Sequence, residues 1–311
     1  MRIVFMGTPE FSVPSLERLS SEGYRLIAVV TGPDRRRGRG KKWSPTPVKM
    51  AAQRLGIETI LQPESVKDPA FAEAVAGLSA DLIIVVAYQI LPPTVFTAAR
   101  LGAFNLHGSL LPRYRGAAPI NRAVMAGESE TGVTTFFLKE KVDTGNIILR
   151  ASLPIGPEET AGEVHDRMMM LGADVVVETV RLIESGQAQP RAQDDMLATP
   201  APKIFKEMCQ IPWDRNALEV HNHIRGLSPF PGAWTMLGDM LLKLYRSRLV
   251  DGTGTPGTVL RADNHLIVAC GSGAVEVLEL QQQSRRRLDA HAFLKGTLLE
   301  PGSRFGAEGD T

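Results

Sequence analysis

The chain has 311 residues, 43% of them hydrophobic and 22% charged, with a formal net charge of +1. That length suits two domains, and that composition a packed globular protein rather than a disordered or fibrous one. No run approaches the roughly 18 apolar residues of a membrane span, the opening MRIVFMGTPEF holds too short an apolar run for a secretory signal, and Cys209 and Cys270 stand too far apart for a disulfide framework or zinc site.

A soluble cytoplasmic protein without a metal site is therefore expected, and a monomer is expected as well. From the start of the chain, short apolar runs alternate with stretches of helical composition. RIVFMG (2–7), RLIAVVTG (25–32), DLIIVVAY (81–88), AFNLHG (103–108), VTTFFL (133–138) and NIILRA (146–151) are apolar on consecutive positions, which suits strands covered on both faces. Between them VPSLERLSSEG (13–23), PVKMAAQRLG (47–56), DPAFAEAVAGL (68–78) and AAPINRAVMAG (117–127) predict helices that stop at or near glycine. This alternation predicts a mostly parallel, Rossmann-like sheet with helices on both sides, whose ligands sit beyond the carboxyl ends of the strands.

A long helix is predicted over 158–186, its methionine run Met168–Met170 serving packing. QAQPRAQDDMLATPAPK then reads as an extended linker. Beyond one further helix the chain becomes short apolar runs separated by Gly, Asp and Asn, the texture of a small antiparallel β-barrel, OB-like, or of a sandwich, with a frayed end after Leu299. The expected division is 1–189 as an α/β catalytic domain, 190–205 as linker and 206–311 as the barrel.

GTPEF after the first strand lacks the spacing of either nucleotide-binding glycine motif and reads as a tight turn. His221 and His223 stand two apart on a predicted helix and point to different faces, so they read as packing or surface histidines. Ser109 is not in a nucleophile elbow. VDTGN (142–146) holds one Asp-Thr-Gly, where an aspartic protease needs two shared carboxylates; it suits a single carboxylate at a strand end, with Gly145 allowing a sharp turn. Asn105 and His107, one residue apart on a predicted strand, leave the same face near its end. An amide donor, an imidazole and the Asp143 carboxylate suit acyl transfer to an amine, in which the attacking nitrogen loses a proton and a tetrahedral oxyanion needs donors. Asn and His satisfying turn hydrogen bonds is the competing reading. The segment DRRRGRGKK (34–42) sets six cations beside one acid, dense enough to neutralise several phosphates or else a solvated loop.

FNLHGSLLPRYRGAAPINRAVMAGESETGVT (104–134) followed by VDTGNII (142–148) resembles the signature of the folate-dependent formyltransferases. The resemblance implies 10-formyltetrahydrofolate as formyl donor, Asn105 and His107 on the formyl carbonyl, and Asp143 holding His107 in its working state. It also implies Ser109, Leu110, Leu111 and Pro112 lining the folate pocket, with Tyr88, Gln89, Ile90 and Leu91 near the pterin. PDRRRGRGKK (33–42) is similar to the loop by which tRNA-acting members reach the acceptor end of initiator tRNA, matching at Arg39, Lys41 and Lys42. APKIFKEMCQIPWD (201–214) and IRGLSPFPGAW (224–234) resemble the start of the family's tRNA-holding barrel. The implied acceptor is the α-amino group of methionine on initiator tRNA, the step that prepares it for translation initiation. Rival readings are formylation of a small amine such as an amino sugar or glycinamide ribonucleotide, hydrolysis of formyltetrahydrofolate, and a tRNA-binding protein without activity.

Overall fold

The computed structural model describes residues 1–37 and 42–306. In chain order its first part contains β1 (Arg2–Gly7), α1 (Val13–Ser21), β2 (Arg25–Val30), β3 (Arg35–Arg37), β4 (Lys42–Ser44), α2 (Pro47–Arg54), β5 (Ile60–Leu61), α3 (Pro69–Gly77) and β6 (Leu82–Val86). There follow α4 (Pro93–Phe96), β7 (Ala103–His107), α5 (Pro119–Met125), β8 (Glu130–Phe137), β9 (Ile147–Pro154) and α6 (Ala161–Glu184). Seven strands form one sheet in the order β5–β2–β1–β6–β7–β8–β9, parallel from β5 to β7 and turning antiparallel at β8. The consecutive apolar runs are the reason: Ile3–Met6 and Leu82–Ile84 have no exposed surface, which only a sheet covered on both faces provides. Helix starts are fixed locally. Thr46 accepts from the Lys49 N–H and Asp68 from the Ala70 N–H, each just before a proline at the first helical position, where its missing N–H costs nothing.

The chain forms two compact units that interleave along the sequence. One comprises Met1–Gly116, Gly132–Leu153 and His165–Pro200; the other comprises Ala117–Thr131, Pro154–Val164 and the chain from Ala201 onward. In the second unit α7 (Ala217–Gly226) packs on α5. The strands β10 (Ala233–Leu237), β11 (Met240–Val250), β12 (Val259–Ala262), β13 (Leu266–Ala269), β14 (Ala274–Gln282) and β15 (Arg287–Asp289) precede α8 (Ala290–Gly296). They form an antiparallel sheet in the order β10–β11–β14–β13–β12, with β15 also on β14. Leu242, Leu244, Val268 and Val277 on this sheet enclose a core with Ile224 of α7 and Phe293 of α8.

The end of the chain differs from expectation. Rather than fraying after Leu299, it returns between the two edge strands: Ser303 O accepts from Val259 N–H, Phe305 N–H donates to Gly257 O, and Gly306 N–H to Met236 O, each at 2.8 Å. Phe305 bridges β10 at Leu237 and lies buried against Trp213. This segment covers both open edges, so the sheet closes as a barrel. The Rossmann-like sheet followed by an antiparallel barrel is thus the architecture the sequence predicts.

His221 and His223 do lie on α7. His221 is buried, its Nδ1 3.0 Å from Ser247 Oγ and its Nε2 3.1 Å from Pro157 O, a packing role inside the second unit. Met168 is buried in the core. Among the described residues no helix is long and apolar enough to cross a membrane.

Candidate active site

β6 and β7 lie side by side and parallel, with Val85 opposite Asn105. Their carboxyl ends are where an open α/β sheet places its ligands. Asn105 and His107 share one face of β7, as their spacing requires, while Leu106 on the other face meets α6 at Gly172, where a Cβ would stand 2.7 Å from the leucine. After β6 the chain bends at Ala87, which takes a left-handed φ of 46°. The bend brings Tyr88, Gln89, Ile90 and Leu91 into the wall of a cavity of about 510 Å³, open mouth included, shared with Asn105 and Asp143. The buried Tyr88 hydroxyl has no hydrogen-bond partner among the described residues, and burial pushes its pKa up to about 12. It therefore stays a neutral donor, closed off from solvent beside the cavity wall.

Ser109, Leu110, Leu111 and Pro112 are placed differently and do not line this cavity. Ser109 has no exposed surface and donates to Arg113 O at 2.6 Å. Thr134 of β8 donates to Ser109 O and accepts from Leu111 N–H, and Leu111 packs with Phe136 and Ile147. The segment anchors the loop after β7 to β8.

His107 is also buried, behind Asn105. Its Nε2 lies 2.8 Å from Tyr114 O, and because a carbonyl only accepts, that nitrogen carries a proton. Nδ1 then faces Asp143 Oδ2 at 3.8 Å, longer than a hydrogen bond but an ion-pair distance once the ring is protonated. Gly116 N–H donates to the same oxygen at 2.9 Å. Both partners of His107 come from strained backbone: Tyr114 has φ 59° and Asp143 φ 55°. A non-glycine residue there costs on the order of 1–3 kcal/mol and persists only where its surroundings hold it. Gly145 does not take a left-handed φ; its glycine is demanded by space, since a Cβ would fall 1.6 Å from Phe137 O.

Tyr114, Gly116 and two more distant residues, Arg115 and Gln193, were not visible as site residues in the sequence, because they act through backbone atoms or lie in a polar stretch. The described ends of the cationic segment pair antiparallel as β3 and β4, with Arg36 opposite Trp43. Arg39 and Lys41 lie outside the described residues. Lys42 opens β4, opposite Arg37. Trp43 is 67% exposed with the Arg36 guanidinium 5.8 Å from its ring, an aromatic partner for the cations that the charge count did not reveal. At the root of the pair, Gln62 and Lys49 bond Asp34 and hold its carboxyl below the usual carboxylate value.

Residues 1–180 match the model of the formyl transferase family, and residues 203–298 that of the formyl transferase C-terminal domain. The chain belongs to the formyl transferase family. Among this formyl transferase's relatives, a methionyl-tRNA formyltransferase of Chlorobium luteolum is 49% identical over 304 residues, covering 95% of this chain and 96% of that protein. Another, of Chlorobium phaeovibrioides, is 49% identical over 315 residues, covering 99% and 98%. HypX from Aquifex aeolicus, solved in complex with tetrahydrofolic acid, shares the fold with a TM-score of 0.67 at 19% identity; the formyl transferase covers 47% of that longer chain, and the match takes in 94% of its own.

Proposed function

We propose that this formyl transferase moves the formyl group of 10-formyltetrahydrofolate to the α-amino group of methionine on initiator tRNA, giving formylmethionyl-tRNA and tetrahydrofolate. The observation that carries the reading is the convergence of Asn105 and Asp143 on the cavity walled by Tyr88–Leu91, with His107 directly behind them. The near-full-length likeness to methionyl-tRNA formyltransferases supports tRNA as acceptor over a small amine or water. An apolar wall of Ile90 and Leu91 with one unpartnered hydroxyl on Tyr88 suits a flat heteroaromatic ring bearing polar edges, as the pterin does.

The deprotonated amine attacks the formyl carbon, and the carbonyl electron pair moves onto oxygen. The Asn105 amide donates to that oxyanion, an interaction typically worth roughly 10²- to 10³-fold in rate. The tetrahedral species collapses as its bond to N10 breaks, N10 takes up a proton, and the attacking nitrogen loses one. Asp143 and His107, 3.8 Å apart, hold the proton between these sites. Ser109–Pro112 keep the His107 loop fixed on β8. By the resemblance Arg39, Lys41 and Lys42, and from the described part of the same segment Arg36 and Trp43, receive the acceptor end of the tRNA, cations on phosphates and the indole against a base. The reaction takes place in the cytoplasm, with the chain acting as a monomer.

The test offers the purified protein 10-formyltetrahydrofolate with charged initiator tRNA, glycinamide ribonucleotide, an amino sugar nucleotide, or water alone. Formyl is expected to reach the methionyl-tRNA, and Asp143→Ala or His107→Ala to abolish transfer without unfolding the chain. Full activity in either variant, or transfer only to another acceptor, sinks the reading.

A further inference from the structure

The stretch after α6 that reads as a linker is bonded into the first unit, and it touches both halves of the site. Arg191 and Ile147 exchange both backbone hydrogen bonds at 2.8 Å, at the start of β9. Thr199 Oγ1 accepts from Tyr114 N–H at 2.8 Å, and Thr199 O from Arg115 N–H at 2.9 Å. Between these two anchors Gln193 is half-buried, while the other residues of 191–197 are exposed.

Its side-chain amide spends its full capacity on the site. Nε2 donates one N–H to Asp143 O and the other to Gly145 O, both at 2.9 Å. Oε1 accepts from Arg115 Nε at 3.1 Å and Nη2 at 2.8 Å. Two donors and two lone pairs are all that an amide of this kind offers. Asp195 takes a further bond from Arg115 Nη2 at 2.7 Å, fixing the guanidinium in its plane. Gln193 thus joins the left-handed turn at Asp143 to the residue between Tyr114 and Gly116, which approach His107 and Asp143 respectively.

We propose that Gln193 is a positioning residue for formyl transfer: it clamps the Asp143–Gly145 turn and, through Arg115, sets the carboxylate's distance and angle to His107. The proposal rests on the reading of Asp143 and His107 as catalytic. A turn bearing a non-glycine residue at φ 55° has a nearby relaxed alternative, and two hydrogen bonds to the carbonyls on either side of Thr144 oppose that relaxation. The amide is specifically required. A glutamate of the same shape keeps the bonds from Arg115 but sets a negative charge against two carbonyl oxygens.

The experiment measures single-turnover formyl transfer to methionyl-tRNA with Gln193→Ala, Gln193→Glu, Asp143→Asn and the double variant Gln193→Ala/Asp143→Asn. Displacements near 1 Å at a reacting group cost on the order of 10²-fold. Both Gln193 variants are therefore expected to lose roughly 10- to 100-fold in kcat, with KM for donor and tRNA within about 2-fold. In the Asp143→Asn background, Gln193→Ala is expected to change the rate by less than about 2-fold, because a residue that acts through Asp143 has nothing left to position. A loss confined to KM, a multiplicative loss in the double variant, or wild-type kcat in Gln193→Glu beside a crippled Asp143→Asn overturns the proposal. Wild-type activity in Asp143→Asn instead overturns the catalytic reading beneath it. Gln193 lies on a partly exposed strap, so both variants fold, and equal melting temperatures verify this.

Discussion

Gly145→Ala is the smallest substitution that reaches the site through the backbone alone. The added Cβ would begin 1.6 Å from Phe137 O, 2.8 Å from Phe137 C and 3.0 Å from the Phe136 ring. Reaching ordinary contact at 3.4 Å means a displacement of about 2 Å, and the first obstacle is the backbone carbonyl that ends β8 rather than a flexible side-chain tip. The movement therefore falls on the turn carrying Asp143, two residues away, and takes the Gly145 carbonyl off Gln193. With about 10²-fold lost for each misplacement near 1 Å, kcat for formyl transfer is expected to fall by at least about 10²-fold. Gly77→Ala is the matched control. It sits at the end of α3 with nothing within 4 Å of where its Cβ would stand, so it is expected to leave kcat intact and to stabilise the fold by about 0.4–1 kcal/mol through a less free unfolded chain. Single-turnover transfer and thermal melts on the two variants give the comparison. Gly145→Ala with more than half the wild-type rate would refute the claim that the turn is fixed by close approach to β8.

Tyr88→Phe removes an unpartnered buried hydroxyl, so the fold is expected to gain about 1 kcal/mol or more in thermal or urea unfolding, while KM for the folate donor rises several-fold. Phe305→Ala is expected to cost about 3–5 kcal/mol, read as an early unfolding step of the barrel, because it empties a fully packed core position and releases the closing segment. Burial of Glu276 works against its ionisation, but hydrogen bonds from His265 and Arg248 outweigh it and hold the carboxyl below its usual value. A carboxylate depressed by folding contributes stability that is present above its unfolded value of 4.5 and is lost as pH falls through the lower folded one. Barrel stability is therefore expected to decline on acidification below about pH 4.5, and Glu276→Gln to flatten that slope in pH-dependent melts.

What the sequence made legible follows from which interactions are periodic. β1, β2, β6 and β7 announce themselves because a strand covered on both faces must be apolar at every position. The shared face of Asn105 and His107 follows from the two-residue repeat of any strand. Asp143 joins them through the chemistry the three groups could share and through resemblance, since nothing in local spacing says that a turn 36 residues beyond His107 returns beside it. Tyr114 acts through its carbonyl and Gly116 through its amide, groups every residue owns, so no side-chain pattern marks them. The Ser109–Pro112 stretch is conspicuous as a motif, but the motif does not show that Ser109 and Leu111 also tie their backbone to Thr134 of β8. Phe305 looked like part of a tail because a closing segment needs only a few backbone bonds and one buried ring, too little for periodicity to register. The helix over 117–127 was evident as a helix, but its partner α7 lies about 100 residues on, and amphipathicity names a buried face without naming what buries it.

The same logic explains why the site is held by residues from so many places. A parallel sheet delivers Asn105 and His107 to a strand end with fixed direction, at no local strain. The carboxylate arrives instead on a loop between antiparallel strands, and the loop can face His107 only with Asp143 in the left-handed region, where a single turn does not stay unaided. Several bonds at the site go to that weakness: Gly116 N–H on the carboxylate, Gln193 on the flanking carbonyls, Thr199 on the loop that carries the second left-handed residue, Tyr114. Strain that needs this many independent supports is expected to be relieved stepwise. Removing Thr199 Oγ1 with Thr199→Val should therefore free Tyr114 and weaken its hold on His107 while leaving the Asp143 turn in place, so that its effect on kcat multiplies with that of Gln193→Ala instead of merging with it. Merged effects would mean that the strap acts as one rigid piece, and that the two left-handed residues are held by a common constraint.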